Sequence, residues 1–274
     1  MVERDAVREF ASFVGRQRDR IPLLEAALMI ARTEYPRLDL PAQLRRFEDL
    51  ARRLDANPGY SPHANILALN RLLFEEEALT GNEQDYDNPQ NSFLNDVLDR
   101  RKGIPITLSL IYVETGRRRG LPLEGVSFPG HFLAKYCAED SEIYLDPFHR
   151  GEVLTLEDCE QLLRKHFGPD AAIQPEFLAA CSAQQLLERM LNNLKGTYFR
   201  RNNYQRLLTI AEMSLALDPA STQSLLDRGM ALFLLRRYRE ASADLRAYVA
   251  LAPAGDPNMK SARAMLHRIR SLLN

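Results

Sequence analysis

Strand-forming sequence in this chain is confined to residues 125–154, and that confinement restricts the fold more than any other feature. Val126-Ser127-Phe128 and His131 to Tyr136 read as one β stretch, and Glu142 to Leu145 as the next. The turn-like segment Cys137-Ala138-Glu139-Asp140-Ser141 joins them, and Gly151 to Leu154 adds a short third strand. The sheet is therefore small and antiparallel, with helical sequence before and after it. The expected class is α+β, mostly helical.

The helical segments carry apolar residues at three- and four-residue spacing. Val7, Phe10, Phe13 and Val14 mark the first, and Ile21, Leu24, Ala27, Leu28 and Ala31 the second. Leu40-Pro41 opens a third, with proline where a helix tolerates it best, continuing through Leu44, Phe47, Leu50 and Leu54. His63 to Leu79 supplies a fourth. A long polar connection follows, and loops of that length inside a compact domain tend to be functional. Asn91-Ser92 is the expected cap of the helix Ser92–Arg101. A further helix is expected over 105–119.

The C-terminal third contains a repeat. Tyr204 and Tyr238 stand 34 residues apart, and so do Pro219 and Pro253. That is the tetratricopeptide period, with an aromatic opening the second helix and a proline closing the unit. Gly229 and Ala241 occupy small-residue positions, whereas the first unit has Lys195 and Leu207 there. Two such repeats plus a capping helix from Lys260 to Leu273 are too few for a free-standing solenoid. The expected division is residues 1–175, a helical lead-in with the α+β core, and residues 176–274, a tetratricopeptide-like helical domain.

Chemistry concentrates between Arg101 and Arg150. Gly103-Ile104-Pro105 starts a helix whose N-terminal dipole would favour an anionic nucleophile. His131 enters a strand after Pro129-Gly130, and Asp146 ends the next strand, placed to accept a ring N–H of His131. This order resembles the core of papain- and transglutaminase-like proteins, in which a Cys at the helix start is the nucleophile, His its base, and Asp or Asn the group that orients the His. Laying Gly120-Leu121-Pro122 on the family turn puts the nucleophile position on Pro105. The runs from Asn88 to Tyr112, Phe128 to Tyr136 and Leu145 to Gly151 are together similar to the bacterial SirB-one family, a transglutaminase-like region with C-terminal tetratricopeptide repeats; an animal F-box protein carries a related segment. The resemblance implies a Cys–His–Asp fold, and the chain has the relict set Pro105, His131 and Asp146.

No other residue reaches the vacant position convincingly. Thr107 and Ser109 share the helix, but Thr107 is turned away at about 100° per residue. Cys137 lies on the His131 strand about 20 Å along it. Asn88, Asn91, Arg100, Arg101 and Thr107 are candidates for lining the cleft beside His131, where amides and a guanidinium would hold a peptide backbone or carboxylate; their plainer role is capping and turn formation. His131, Asp146 and His149 lack helical ligand spacing, so neither metal nor cofactor is expected. Lys plus Arg is 36 against 37 Asp plus Glu, leaving no basic excess for nucleic acid. Three unpaired cysteines, a charged N-terminus and no membrane-length apolar run give a cytoplasmic expectation, with no membrane partner. The expected function is non-catalytic recognition of a protein or peptide through the cleft and the repeat surface. Alternatives are a cysteine-peptidase- or transglutaminase-class enzyme with a non-standard nucleophile, and a purely structural scaffold.

Overall fold

A computed structural model describes residues 2–17, 20–139, 141–253 and 255–273. Asp140, in the expected turn after Cys137, lies outside the described residues. The chain divides into two compact units, Pro22–Met190 and a second made of Met1–Ile21 with Leu191–Asn274. These bounds differ from a division near Pro175, for two packing reasons. Residues 173–181 pack against the sheet: Ala180 bridges Val126, the Cys181 N–H donates to the Gly125 carbonyl at 2.9 Å, and Ile173, Phe177 and Leu178 pack on the cluster of Val126, Phe128, Leu133, Tyr144, Cys159 and Leu163. The first helix, α1 (Val2–Arg16), packs instead on α9 (Tyr204–Leu217), burying Phe10 and Val14.

In the unit Pro22–Met190, α2 (Leu23–Ala31) is buried almost throughout. The next helix, α3 (Leu40–Arg53), starts where Asp39 accepts the Ala42 N–H at 3.0 Å, with Pro41 in its first turn. Ser61 caps α4 (Pro62–Asn70) in the same way. The helix expected to run to Leu79 changes pitch at Arg71–Glu76, a π-helical turn closed by the Glu77 N–H on the Leu72 carbonyl, and Ala78 at φ 53° ends it. Two short strands that sequence patterning did not anticipate then pair in parallel, β1 (Thr80–Gly81) with β2 (Lys102–Gly103). Between them lies α5 (Leu94–Arg100), and after them α6 (Pro105–Arg117), buried from Pro105 to Gly116.

The main sheet is antiparallel in the order β3 (Leu123–Val126), β4 (Leu133–Cys137), β5 (Glu142–Asp146) and β6 (Glu152–Leu154). Val126 pairs with Leu133, Ala134 with Leu145, and Asp146 with Glu152. The single stretch expected from Val126 to Tyr136 is thus two strands, because Pro129-Gly130 turns the chain back, with Gly130 at φ 73°. His131 sits in that connection rather than in a strand, its N–H donating to the Phe128 carbonyl at 3.1 Å. One sheet face meets α6 and α4, through the Ser109 hydroxyl on the Phe132 carbonyl (3.1 Å) and the Asn65 amide on the Tyr136 hydroxyl (3.1 Å). The opposite face carries α7 (Leu156–Phe167), whose Cys159 and Leu163 enter the cluster around Val126.

The second unit contains the part of α8 (Ala183–Arg200) from Leu191 onward, then α9, α10 (Thr222–Leu234), α11 (Tyr238–Leu251) and α12 (Met259–Leu273). Tyr204 and Tyr238 open α9 and α11, as the repeat requires. Gly229 lets α10 approach α11 closely: a Cβ there would stand 3.0 Å from Leu245. Lys195 departs from the small-residue pattern because its buried ammonium is ion-paired with Asp227, which also accepts from the Gln223 amide at 2.7 Å.

Candidate functional site

The N-terminus of α6 is fixed by residues around Pro105. The Thr107 hydroxyl accepts the Ile104 N–H at 3.1 Å and donates to the Asn91 carbonyl at 2.8 Å. Pro105 has no N–H to satisfy at this first turn, so it suits the position. Ser109, one turn on and on the same helix face, bonds the carbonyl of Phe132. The face that bears Pro105 is therefore the one turned toward the segment of His131.

Asp146 organises the rest. It ends β5 and caps a 3₁₀ turn, Pro147–His149, with Oδ1 accepting the N–H groups of Phe148 at 3.0 Å and His149 at 3.4 Å. Its Oδ2 lies 2.9 Å from His131 Nε2 and 2.7 Å from His149 Nδ1. A carboxylate only accepts, so both facing nitrogens carry protons, and His131 Nδ1 and His149 Nε2 are the outward nitrogens. Among the described residues His131 Nδ1 makes no hydrogen bond. His149 Nε2 stands 4.0 Å from Glu83 Oε1. The two imidazoles are nearly parallel, at 6.1 Å and 20°, with the Phe148 ring edge-on to both. Burial acts to raise the Asp146 carboxyl, but the hydrogen bonds and charge of His131 and His149 outweigh it and hold the group below its ordinary range.

The amide and guanidinium residues expected at the cleft make a brace. Asn91 is fully buried; its amide donates to the carbonyls of Asp85 and Tyr86, and its oxygen accepts from Asn82 at 3.0 Å and Arg100 at 3.2 Å. Asn91 thus does not cap α5, whose N-cap is Phe93 without a side-chain bond. Asn88 caps the short turn Pro89–Ser92 by accepting the Gln90 N–H at 3.0 Å. Thr107 is buried and joined to the same loop, while exposed Arg101 terminates α5 at φ 60°. The long polar connection is held onto the start of α6 by these bonds.

Of the groups that complete the site, the sequence pattern set His149 aside as a ligand for lack of helical spacing and gave no sign of Phe148 or Arg189. His149 follows Asp146 at the end of the 3₁₀ turn Pro147–His149. Phe148 wedges the two rings, and Gly81 makes room for it, since a Cβ at Gly81 would stand 2.6 Å from the Phe148 ring. Arg189 had no sequence signal. Its half-buried guanidinium donates to the His131 carbonyl at 3.5 Å, and it has no ion pair among the described residues. Burial lowers its affinity for a proton, offset only by the nearby Tyr86 phenol. A cavity of about 550 Å³ opens beside His149, lined also by Asn82, Glu83, Lys102 and Phe148. A larger one of about 930 Å³ borders Lys135 and Tyr144 and contains none of these groups.

Among the described residues no thiol hydrogen-bonds to His131, Asp146 or His149. Cys137, Cys159 and Cys181 are free, and burial pushes each up to about 11, with the Glu124 carboxylate adding to the effect at Cys137. His131, Asp146 and His149 present three potential metal-ligand atoms, all within 4.8 Å of one another. Chain spacing hid this grouping because the fold, not a helix, assembles it.

The sequence profile of the transglutaminase-like superfamily matches residues 39–192, and a tetratricopeptide-repeat profile matches residues 194–274. A UPF0162 protein of Xylella fastidiosa is 35% identical over 260 residues, 93% of this chain and 92% of that protein. Human F-box only protein 21 is 34% identical over 186 residues, which cover 64% of this chain and 29% of that protein. Among solved structures, menin, whose structure reveals a binding site for the Mixed Lineage Leukemia protein, aligns over 96% of this chain and 82% of its own at a TM-score of 0.45 and 9% identity. With a transglutaminase-like profile over more than half its length and relatives matched nearly end to end, the chain belongs to the UPF0162 family, a transglutaminase-like region followed by tetratricopeptide repeats.

Proposed function

We propose that this protein recognises a polypeptide segment of another protein and does not cleave it or transfer an acyl group. The observation that carries this reading is Pro105 in the first turn of α6, where the resemblance puts a thiol, together with a His131–Asp146 pair that keeps its 2.9 Å bond. A base and its orienting carboxylate without a nucleophile leave a shaped site with nothing to form a covalent intermediate. The three thiols support the reading, since groups held near 11 are scarcely ionised at neutral pH.

The contacts we assign to recognition come from both regions of the chain. In the transglutaminase-like unit, the outward nitrogens of His131 and His149 and the guanidinium of Arg189 offer polar contacts, and a guanidinium without a carboxylate suits an acidic or C-terminal group of the segment. Tetratricopeptide helices form extended surfaces used for protein contacts, and the kinship with an F-box protein favours protein partners. Three free cysteines suit a reducing cytoplasm, and no helix among the described residues is long and apolar enough to cross a membrane.

The test compares the wild-type chain with the double variant His131→Ala, Arg189→Met in quantitative affinity capture, with melting temperature measured alongside. Proteins retained by the wild type and released by a folded variant support recognition at this site. Identical retention by both favours the scaffold reading, and turnover of peptide amides or glutamine side chains by the wild-type chain brings back the enzyme.

A further inference from the structure

We infer that His131, Asp146 and His149 form a binding site for a first-row divalent metal ion of the zinc type. His149 is the decisive residue. A Cys–His–Asp arrangement needs one imidazole on its carboxylate, and here two imidazoles converge on the same oxygen, at 2.9 and 2.7 Å. The second ring has no part in positioning the first for a thiol. Two imidazoles and a carboxylate are, however, a donor set that zinc, iron(II) and cobalt(II) select, and one that calcium and magnesium, which favour all-oxygen shells, do not.

The geometry is close to what such an ion requires. All three ligand atoms lie within 4.8 Å of one another. Bonds of about 2.1 Å in a tetrahedral site put ligand atoms about 3.4 Å apart. Replacing the two hydrogen bonds by metal bonds therefore moves each imidazole outward by roughly half an ångström. Asp146 stays in place, because Oδ1 is held by the backbone N–H groups of Phe148 and His149. The ion takes the nitrogen of each ring that faces the carboxylate, and each bound ring then carries its proton on the outer nitrogen. For His149 that nitrogen is Nε2, 4.0 Å from Glu83 Oε1, a carboxylate placed to accept the new N–H. A carboxylate behind a metal-bound imidazole is the usual outer support of such sites.

Access and coordination number also fit. His131 and Asp146 are buried, whereas His149 is half exposed beside the cavity lined by Glu83 and Lys102. The ion would have three protein ligands and one position facing water, the pattern of an open site. This inference is independent of polypeptide recognition, since its readout is the ion alone.

The test uses the full chain, stripped with a chelator and titrated with Zn²⁺ by calorimetry and with Co²⁺ by visible absorption. One ion per chain is expected, with a cobalt spectrum of nitrogen and oxygen ligands. His149→Ala and Asp146→Asn should each weaken binding by at least about 100-fold, and Glu83→Gln by about 10-fold. His149→Ala leaves the His131–Asp146 bond in place, so it remains informative if Asp146→Asn fails to fold. Absence of stoichiometric binding, affinity unchanged in His149→Ala, or a cobalt–thiolate charge-transfer band would each overturn the assignment.

Discussion

The hydroxyl of Ser109 donates to the carbonyl of Phe132 at 3.1 Å, and this single bond aligns the face of α6 that carries Pro105 with the residue after His131. Four residues separate Pro105 from Ser109, one helical turn, so the two share that face. A thiol restored at position 105 therefore enters the neighbourhood of His131 at a helix N-terminus. Both the imidazole and the N-terminal dipole favour a thiolate, and thiols so placed ionise at about pH 3.5–7.5. At pH 6, iodoacetamide should alkylate Pro105→Cys at least about ten times faster than it alkylates Pro105→Cys, His131→Ala. Equal rates would show that His131 does not face the start of α6.

The native thiols should behave in the opposite way. Cys137, Cys159 and Cys181 are pushed up to about 11, burial being the main cause at each. A thiol with that value is about 0.1% ionised at pH 8, against about a quarter for an unfolded cysteine. Labelling of the folded chain at pH 8 should therefore run at least about 100-fold slower than in denaturant. It should rise close to tenfold per pH unit up to pH 10, because the thiolate appears only as pH approaches the raised value. Fast, stoichiometric labelling of one cysteine, lost in His131→Ala, would point to a working nucleophile.

The architecture was legible where local pattern decides it. The repeat spacing of Tyr204 and Tyr238 located α9 and α11, and Pro41 and Pro105 marked the first turns of α3 and α6. The His131–Asp146 pair was also legible, through its order on the chain. What pattern does not encode is convergence from distant segments. Arg189 reaches the His131 carbonyl from 58 residues away, and β1 pairs with β2 across the whole polar loop. Burial reverses the meaning of Asn91 in the same way: its exposed-loop composition reads as a ligand group, yet folding uses every polar atom of its side chain inside the chain.

Gly151 is where backbone geometry limits the site most tightly. Its φ is 74°, and a Cβ there would lie 2.0 Å from Asn70 Oδ1. The Asn70 amide donates to the Gly151 carbonyl at 3.0 Å, and its oxygen accepts from the Tyr112 hydroxyl at 3.1 Å, so Asn70 ties the turn after His149 to α6. Gly151→Ala adds left-handed strain of about 1–2 kcal/mol and removes a half-buried bond of about 1 kcal/mol. A loss of about 2–3 kcal/mol in urea unfolding is expected. An unchanged midpoint would mean that the turn relaxes freely.

Arg189 separates recognition from stability. Arg118 and Arg228 are also half-buried, but each is ion-paired, with Glu114 and with Asp244. Arg189 has only the 3.5 Å bond to the His131 carbonyl. Burial disfavours its charge, so the folded state gains nothing from keeping it ionised unless a ligand supplies the counter-charge. Arg189→Met keeps the length of the apolar stem and removes the cation. Its unfolding free energy should stay within about 1 kcal/mol of wild type, where surface and half-buried substitutions usually fall. Capture of partners should drop sharply, and raised salt should weaken wild-type binding more than variant binding, because a charge pair is lost in the latter. A variant that melts much earlier would assign the guanidinium to structure, and one that keeps both stability and binding would remove Arg189 from the recognition site.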